Sequence, residues 1–133
     1  TEQLVSELGI SDKVIFLGNS NEVAKILCYS DVFLLPSVTE SFGLAALEAM
    51  AASTAVISTN TGGLPEVNIH GKTGFLSELG AVDDMAKNAI SILKDEAILL
   101  KFKQKAKEHT KQFALDSILP VYEAIYKSCT EEA

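Results

Sequence analysis

The sequence has no arginine: all eleven basic residues are lysines, set against eighteen acidic ones, for a formal charge of -7. An acidic chain without guanidinium groups is a poor match for the phosphates of nucleic acid or an anionic membrane, so neither is expected as a partner. Cysteine is nearly absent as well. Cys28 and Cys129 stand far apart without metal-type spacing, which excludes a disulfide scaffold or thiolate cluster and suits a reducing compartment. No apolar run reaches membrane-spanning length and no signal-peptide pattern opens the chain, so the expectation is a cytoplasmic protein with no membrane span.

What remains is ordinary globular material. With 133 residues, 47% hydrophobic and 22% charged, the chain forms one domain or a piece of one and can bury a core. Thr1 to Leu8 reads as a short amphipathic helix closed by Gly9. Val14–Leu17 is a continuous apolar run of the kind found in strands covered on both faces, Val32–Leu35 reads as a second buried strand and Ala55–Thr59 as a third, and Gly74–Leu76 is a fourth, short one. Helices are expected from Glu22 to about Tyr29 with Asn21 as cap, and from Phe42 to Ala52 with Ser41 as cap. Three more follow: one from Asp83 with a stripe of Met85, Ala86, Ala89, Ile90 and Leu93, one from Glu96 to Gln112, and one from Ser117 to Lys127 with Tyr122 and Tyr126 at core spacing. Asn60–Glu66 reads as loop throughout.

Strands and helices alternate over the first two thirds, which implies right-handed crossovers and a Rossmann-like parallel sheet of class α/β, with helices on both faces and a helical C-terminus. Ligands of such sheets sit beyond the carboxyl ends of the strands. The loops Gly18–Asn21, Pro36–Ser41 and Asn60–Glu66 are therefore expected to line one rim.

Chemistry concentrates in Glu40-Ser41-Phe42-Gly43-Leu44-Ala45-Ala46-Leu47-Glu48, where Glu48 is the only charge between Glu40 and Glu66. A charge in apolar surroundings calls for a partner. Were both carboxylates on one helix, they would lie about 12 Å apart along its axis, against roughly 5 to 9.5 Å for a glycoside-hydrolase pair. That span suits a grip on the two ends of an elongated ligand. Between the ends, the amides of Phe42, Gly43 and Leu44 would begin the helix, an anion site that Gly43 would open to a phosphate. The physical reading is hydroxyls, phosphate, hydroxyls. The alternative is structural: Glu40 as a favourable charge near a helix start, Glu48 paired with a lysine. His70 and His109 lack metal-spaced partners and are expected as surface or loop residues, and Lys72 and the Lys101–Lys111 cluster as solvated.

The segment Glu40 to Glu48 resembles the E-x7-E signature of the family-four retaining glycosyltransferases, whose GT-B fold pairs two Rossmann-like domains around a cleft. Asp31–Ser37 is similar to that family's strand ending in Pro-Ser, Thr61–Glu66 to its Gly-Gly loop, and Gly71–Leu76 to the turn that follows. Ser58-Thr59-Asn60 and Glu-Ser-Phe-Gly-Leu most resemble the branch that makes the first intermediate of bacillithiol from UDP-N-acetylglucosamine and L-malate. The resemblance implies that Glu40 bonds the transferred sugar as the catalytic carboxylate and that Glu48 bonds the ribose of UDP. Amides of Ser41, Phe42, Gly43 and Leu44 would hold sugar and diphosphate, and the backbone around Asn19 and Ser20 would read the uracil edge. It implies no metal and no cofactor besides the UDP-sugar, and retention of anomeric configuration through a front-face substitution. Another sugar or acceptor, or a noncatalytic α/β binding module, remains an alternative.

Two departures from the family pattern matter. Ser53 and Ala55 stand where relatives commonly have Gly and Pro, and Ser53 gives up the easy left-handed cap at a cost of about 1 kcal/mol. The second is larger. A complete GT-B carboxyl domain has about six strands, and four are expected here. The resemblance therefore implies an incomplete carboxyl-terminal domain, residues 1–133 being a partial nucleotide-sugar-binding unit without its first strand units and amino-terminal domain. Such a piece is expected to be inactive alone and to rearrange its strand pairing or form a swapped oligomer.

Overall fold

A computed structural model describes residues 1–131. Three parallel strands form its sheet in the order β1 (Val32–Leu35), β2 (Ala55–Thr59), β3 (Gly74–Ser77). Phe33 lies opposite Val56, and Ile57 opposite Phe75. β2 is central and all five of its residues are buried, as its β-branched, uncharged sequence requires. Its side chains alternate between two cores. Val56 joins Leu27, Ala46, Ala49, Met50, Leu64 and Ala106 on one face, while Ala55 and Ile57 meet Ile92 on the other. Burying a side chain such as Ile57 stabilises the fold by about 1.5–3 kcal/mol.

The helices are α1 (Glu2–Glu7), α2 (Val23–Cys28), α3 (Leu44–Ala51), α4 (Leu64–Val67), α5 (Val82–Leu93), α6 (Glu96–Thr110) and α7 (Leu115–Glu131), with single 3-10 turns at Ser11–Lys13 and Lys111–Phe113. α3 covers one face of the sheet and α5 the other, and α6 contributes Ala106 to the first core and packs Leu99 and Phe102 against the second. The α/β class with helices on both faces holds. α6 begins at Asp95, whose Oδ1 accepts from the amides of Ala97 (2.9 Å) and Ile98 (3.1 Å), an N-cap of the usual chemistry. On α5 the inward stripe is Met85, Ala89 and Ile92, whereas Ile90 and Leu93 of the expected stripe are exposed.

Several expectations fail, each for a physical reason. Val14–Leu17 is not a strand, and Ile15 is 82% exposed. Among the described residues no strand lies beside it, and without a ladder the apolar run has nothing to fix it as one. The sheet thus has three strands rather than four. They keep an ordinary parallel register instead of rearranging, and β1 keeps a free edge with Leu34 52% exposed. Asn21 does not cap α2: the residue ahead of that helix is Glu22, whose amide donates to Ser20 Oγ at 3.1 Å. α4 is a turn of helix inside the segment expected to be all loop, because Pro65 suits the first turn of a helix. Tyr122 and Tyr126 are exposed, as are Val121 and Ile125 beside them, so this stretch of α7 does not face the core. Among the described residues no helix is long and apolar enough to cross a membrane.

α3 ends in a Schellman motif: the amide of Ser53 donates to the carbonyl of Met50 (3.0 Å) and that of Thr54 to Ala49 (2.9 Å). Ser53 takes φ 63°, the left-handed value this motif demands of its C′ residue and the only positive φ of a non-glycine among the described residues. Ser53→Gly should therefore raise unfolding stability by about 1 kcal/mol, read as a shifted urea midpoint at unchanged slope.

Candidate functional site

The rim beyond β1 and β2 is held together by backbone contacts between two loops. Thr59 ends β2 and donates from Oγ1 to the carbonyl of Ser37 (2.6 Å); Thr61 Oγ1 donates to Val38 (3.2 Å); the Gly63 amide donates to the carbonyl of Glu40 (3.3 Å). The loops touch so closely that side chains cannot fit between them. A Cβ on Gly62, which sits at φ +53°, would overlap the Glu40 carbonyl, and one on Gly63 would come within 2.6 Å of the Ser41 carbonyl and 2.9 Å of Phe42 Cα. This is why two glycines stand side by side there. Beneath them, buried Asn68 ties the strands: its Nδ2 donates to Ser58 Oγ (3.0 Å) and the carbonyls of Phe75 (3.0 Å) and Val56 (3.3 Å), and its Oδ1 accepts from Thr73 Oγ1 (3.1 Å). Among the described residues no buried side-chain nitrogen or oxygen lacks a partner.

The start of α3 differs from the sequence expectation. Its N-cap is Gly43, at φ 98° and ψ 42°, and Ser41 and Phe42 lie in the bend before it. The amides at the positive end of the helix are therefore those of Leu44, Ala45 and Ala46, two residues later than expected. Gly43 does not open a path for phosphate through its missing side chain. That space belongs to Leu64, whose Cδ2 would lie 2.8 Å from a Cβ there, so this glycine serves the packing of α3 on α4.

Glu40 is half-buried in the loop, with its carbonyl fixed by Gly63, and Glu48 is exposed in mid-helix. Since Glu40 is off the helix, the 12 Å estimate does not describe the pair; Glu48 lies about 6 Å along the axis from Leu44. Neither carboxylate forms an ion pair among the described residues, so the structural alternative of a lysine partner for Glu48 is not met. Its neighbours Ala24, Leu27 and Ala51 border a hollow of about 320 Å³ between α2 and α3. Phe42 is anchored edge-on to Phe113 (ring centroids 5.9 Å), and Phe113 meets His109 in the same way (5.5 Å). Burial pushes the pKa of His109 below its ordinary value, with the backbone of Glu66 acting in the opposite direction.

Glu40, Ser41, Phe42, Gly43, Leu44 and Glu48 thus fall on one loop and the helix it leads into. Asn19 and Ser20 are not joined to them by any hydrogen bond; the loop they belong to follows the unpaired Val14–Leu17 segment. Sequence reasoning missed the pin at Asn68, signalled only by one amide among apolar residues, and the Phe42–Phe113 contact, which has no local signal. Among the described residues no cluster of three His, Cys, Asp or Glu could hold a metal ion.

Comparison with known proteins shows the family and the fold. A family model described as "Glycosyl transferases group 1" matches residues 1–109. N-acetyl-alpha-D-glucosaminyl L-malate synthase of Bacillus anthracis is 46% identical over 125 residues, 93% of this chain and 33% of that protein. D-inositol 3-phosphate glycosyltransferase of Corynebacterium efficiens is 30% identical over 129 residues, 96% of this chain and 30% of that protein. Among solved structures, sucrose-phosphate synthase from Thermosynechococcus elongatus superposes with a TM-score of 0.87 at 30% identity, over 99% of this chain and 34% of the other. The chain spans about a third of the length of each of these proteins.

Gly62→Ala should destabilise the fold by about 3 kcal/mol or more, because φ and the Glu40 carbonyl both oppose a side chain. Gly71 has a similar φ of +73° but nothing within 4 Å of its Cβ position, and Gly71→Ala should cost only about 1 kcal/mol. Urea unfolding of the two variants separates backbone crowding from conformational strain.

Proposed function

Given that this chain belongs to the group 1 glycosyltransferases, we propose that it is the donor-binding part of a retaining hexosyltransferase that moves N-acetylglucosamine from UDP-N-acetylglucosamine to L-malate. The observation that carries the reading is the backbone lock between Gly62-Gly63 and Glu40, which fixes the main chain of a glutamate just ahead of the first-turn amides of α3. In this reading the diphosphate lies on the amides of Leu44 and Ala45, the exposed residues of the first turn, where aligned N–H groups and the helix dipole offset its charge. Glu48 accepts hydrogen bonds from the ribose hydroxyls and Glu40 from those of the sugar. The helix start takes the place of a metal ion at the diphosphate, and the backbone near Asn19 and Ser20 approaches the uracil.

The likeness to the malate synthase supports N-acetylglucosamine and L-malate as substrates. A second reading, with the same donor grip and another acceptor, is favoured by the likeness to an inositol-phosphate glycosyltransferase. The acceptor and a basic clamp on the diphosphate belong in both readings to the remainder of a longer protein.

Calorimetric titration with UDP tests the donor site. The chain should bind UDP, and Glu48→Ala should weaken binding at least tenfold, since hydrogen bonds to a charged group contribute about 1.5–3 kcal/mol. No heat even at millimolar UDP, or equal binding by the variant, would favour a noncatalytic module.

A further inference from the structure

A second cavity lies on the opposite side of the domain from the α2–α3 hollow, against the outer strand β3. It has a volume of about 380 Å³ and lies between the turn before β3, the end of α5 and the middle of α6. Its apolar wall is Phe75, Phe102 and Ile98, the two rings being 5.1 Å apart and tilted by 45°. Around it stand three lysines: Lys72 in the turn, Lys94 just past α5, and Lys101 on α6. Ile98, Lys101 and Phe102 follow the i, i+3, i+4 spacing that puts them on one helix face.

The charge pattern is unusual for this protein. In a chain of net charge -7, three of eleven lysines face one hollow whose lining includes no carboxylate. Among the described residues none of the three makes an ion pair; the paired lysines are Lys13, Lys25, Lys103 and Lys105. Lys94 gains from the negative end of the α5 dipole, and Lys72 also borders a neighbouring hollow that Glu108 lines. Like charges gathered at an apolar wall repel one another, and an anion relieves that repulsion. The wall in turn suits a flat ring, which is held by stacking on Phe75 and Phe102 and by the cations.

We infer that this cavity is a binding site for a ring-bearing phosphate ester, its ring on Phe75 and Phe102 and its phosphate among Lys72, Lys94 and Lys101. The site is separate from the donor grip and does not depend on that reading. AMP serves as the probe, with adenosine and inorganic phosphate as its separate halves, in titrations followed by amide chemical shifts. AMP should shift residues 71–75 and 98–102 and bind at least tenfold more tightly than either half. Lys94→Ala combined with Lys101→Ala should weaken it at least tenfold, and Lys101→Ala alone, on an exposed helix position, about threefold. Glu48→Ala should leave the AMP-induced shifts of residues 71–75 and 98–102 unchanged. No shift at these amides, shifts only at the start of α3, equal affinity for adenosine, or indifference to Lys101→Ala would each overturn the assignment.

Discussion

The candidate site depends on one steric constraint, the contact of the Gly62-Gly63 backbone with the backbone of Glu40, Ser41 and Phe42. Two loops that leave adjacent parallel strands cannot come this close if either carries side chains at the contact. Once they do, the Gly63 amide and the hydroxyls of Thr59 and Thr61 satisfy three carbonyls of the facing loop. Glu40 is then held by main-chain geometry rather than by a partner for its carboxylate, which stays free to accept hydrogen bonds from a ligand. A lysine partner would have taken up part of that acceptor capacity.

The lock is only as rigid as the strands beneath it. β2 supplies that rigidity, buried along its whole length with an apolar core on each side. Asn68 adds specificity: its amide bridges β2 and β3 through Val56, Ser58 and Phe75. A buried amide with all its partners in place fixes one arrangement of the strand ends. Leu64 joins the two systems, since it fills the space that Gly43 leaves and belongs to the same core as Val56. Packing, polar pin and loop contact together aim the N-terminus of α3 at the rim.

Much of this is legible in the sequence because it is local. β1, β2 and β3 are short uncharged runs bounded by turn formers, the alternation of elements gives the α/β class, and the adjoining glycines mark a close approach. Ser53 declares its own strain by standing where a left-handed residue is needed. What escapes is decided by neighbours distant in sequence. Val14–Leu17 has the composition of a buried strand, yet pairing requires a partner that composition does not reveal. Tyr122 and Tyr126 have core spacing on α7, but spacing cannot say whether a surface will be there to meet them. Ser41, a good cap by type, points to a start of α3 two residues too early, whereas the left-handed turn at Gly43, fitted to Leu64, sets the boundary.

The central claim is that the start of α3 and the locked loop before it form one grip on a sugar nucleotide. The most direct measurement is a crystal structure of the chain with UDP-N-acetylglucosamine. The account predicts diphosphate oxygens about 3 Å from the amides of Leu44 and Ala45, with Glu48 on the ribose hydroxyls and Glu40 toward the sugar. A sugar nucleotide seated away from the N-terminus of α3, or one that displaces Gly62-Gly63 from Glu40, would contradict it.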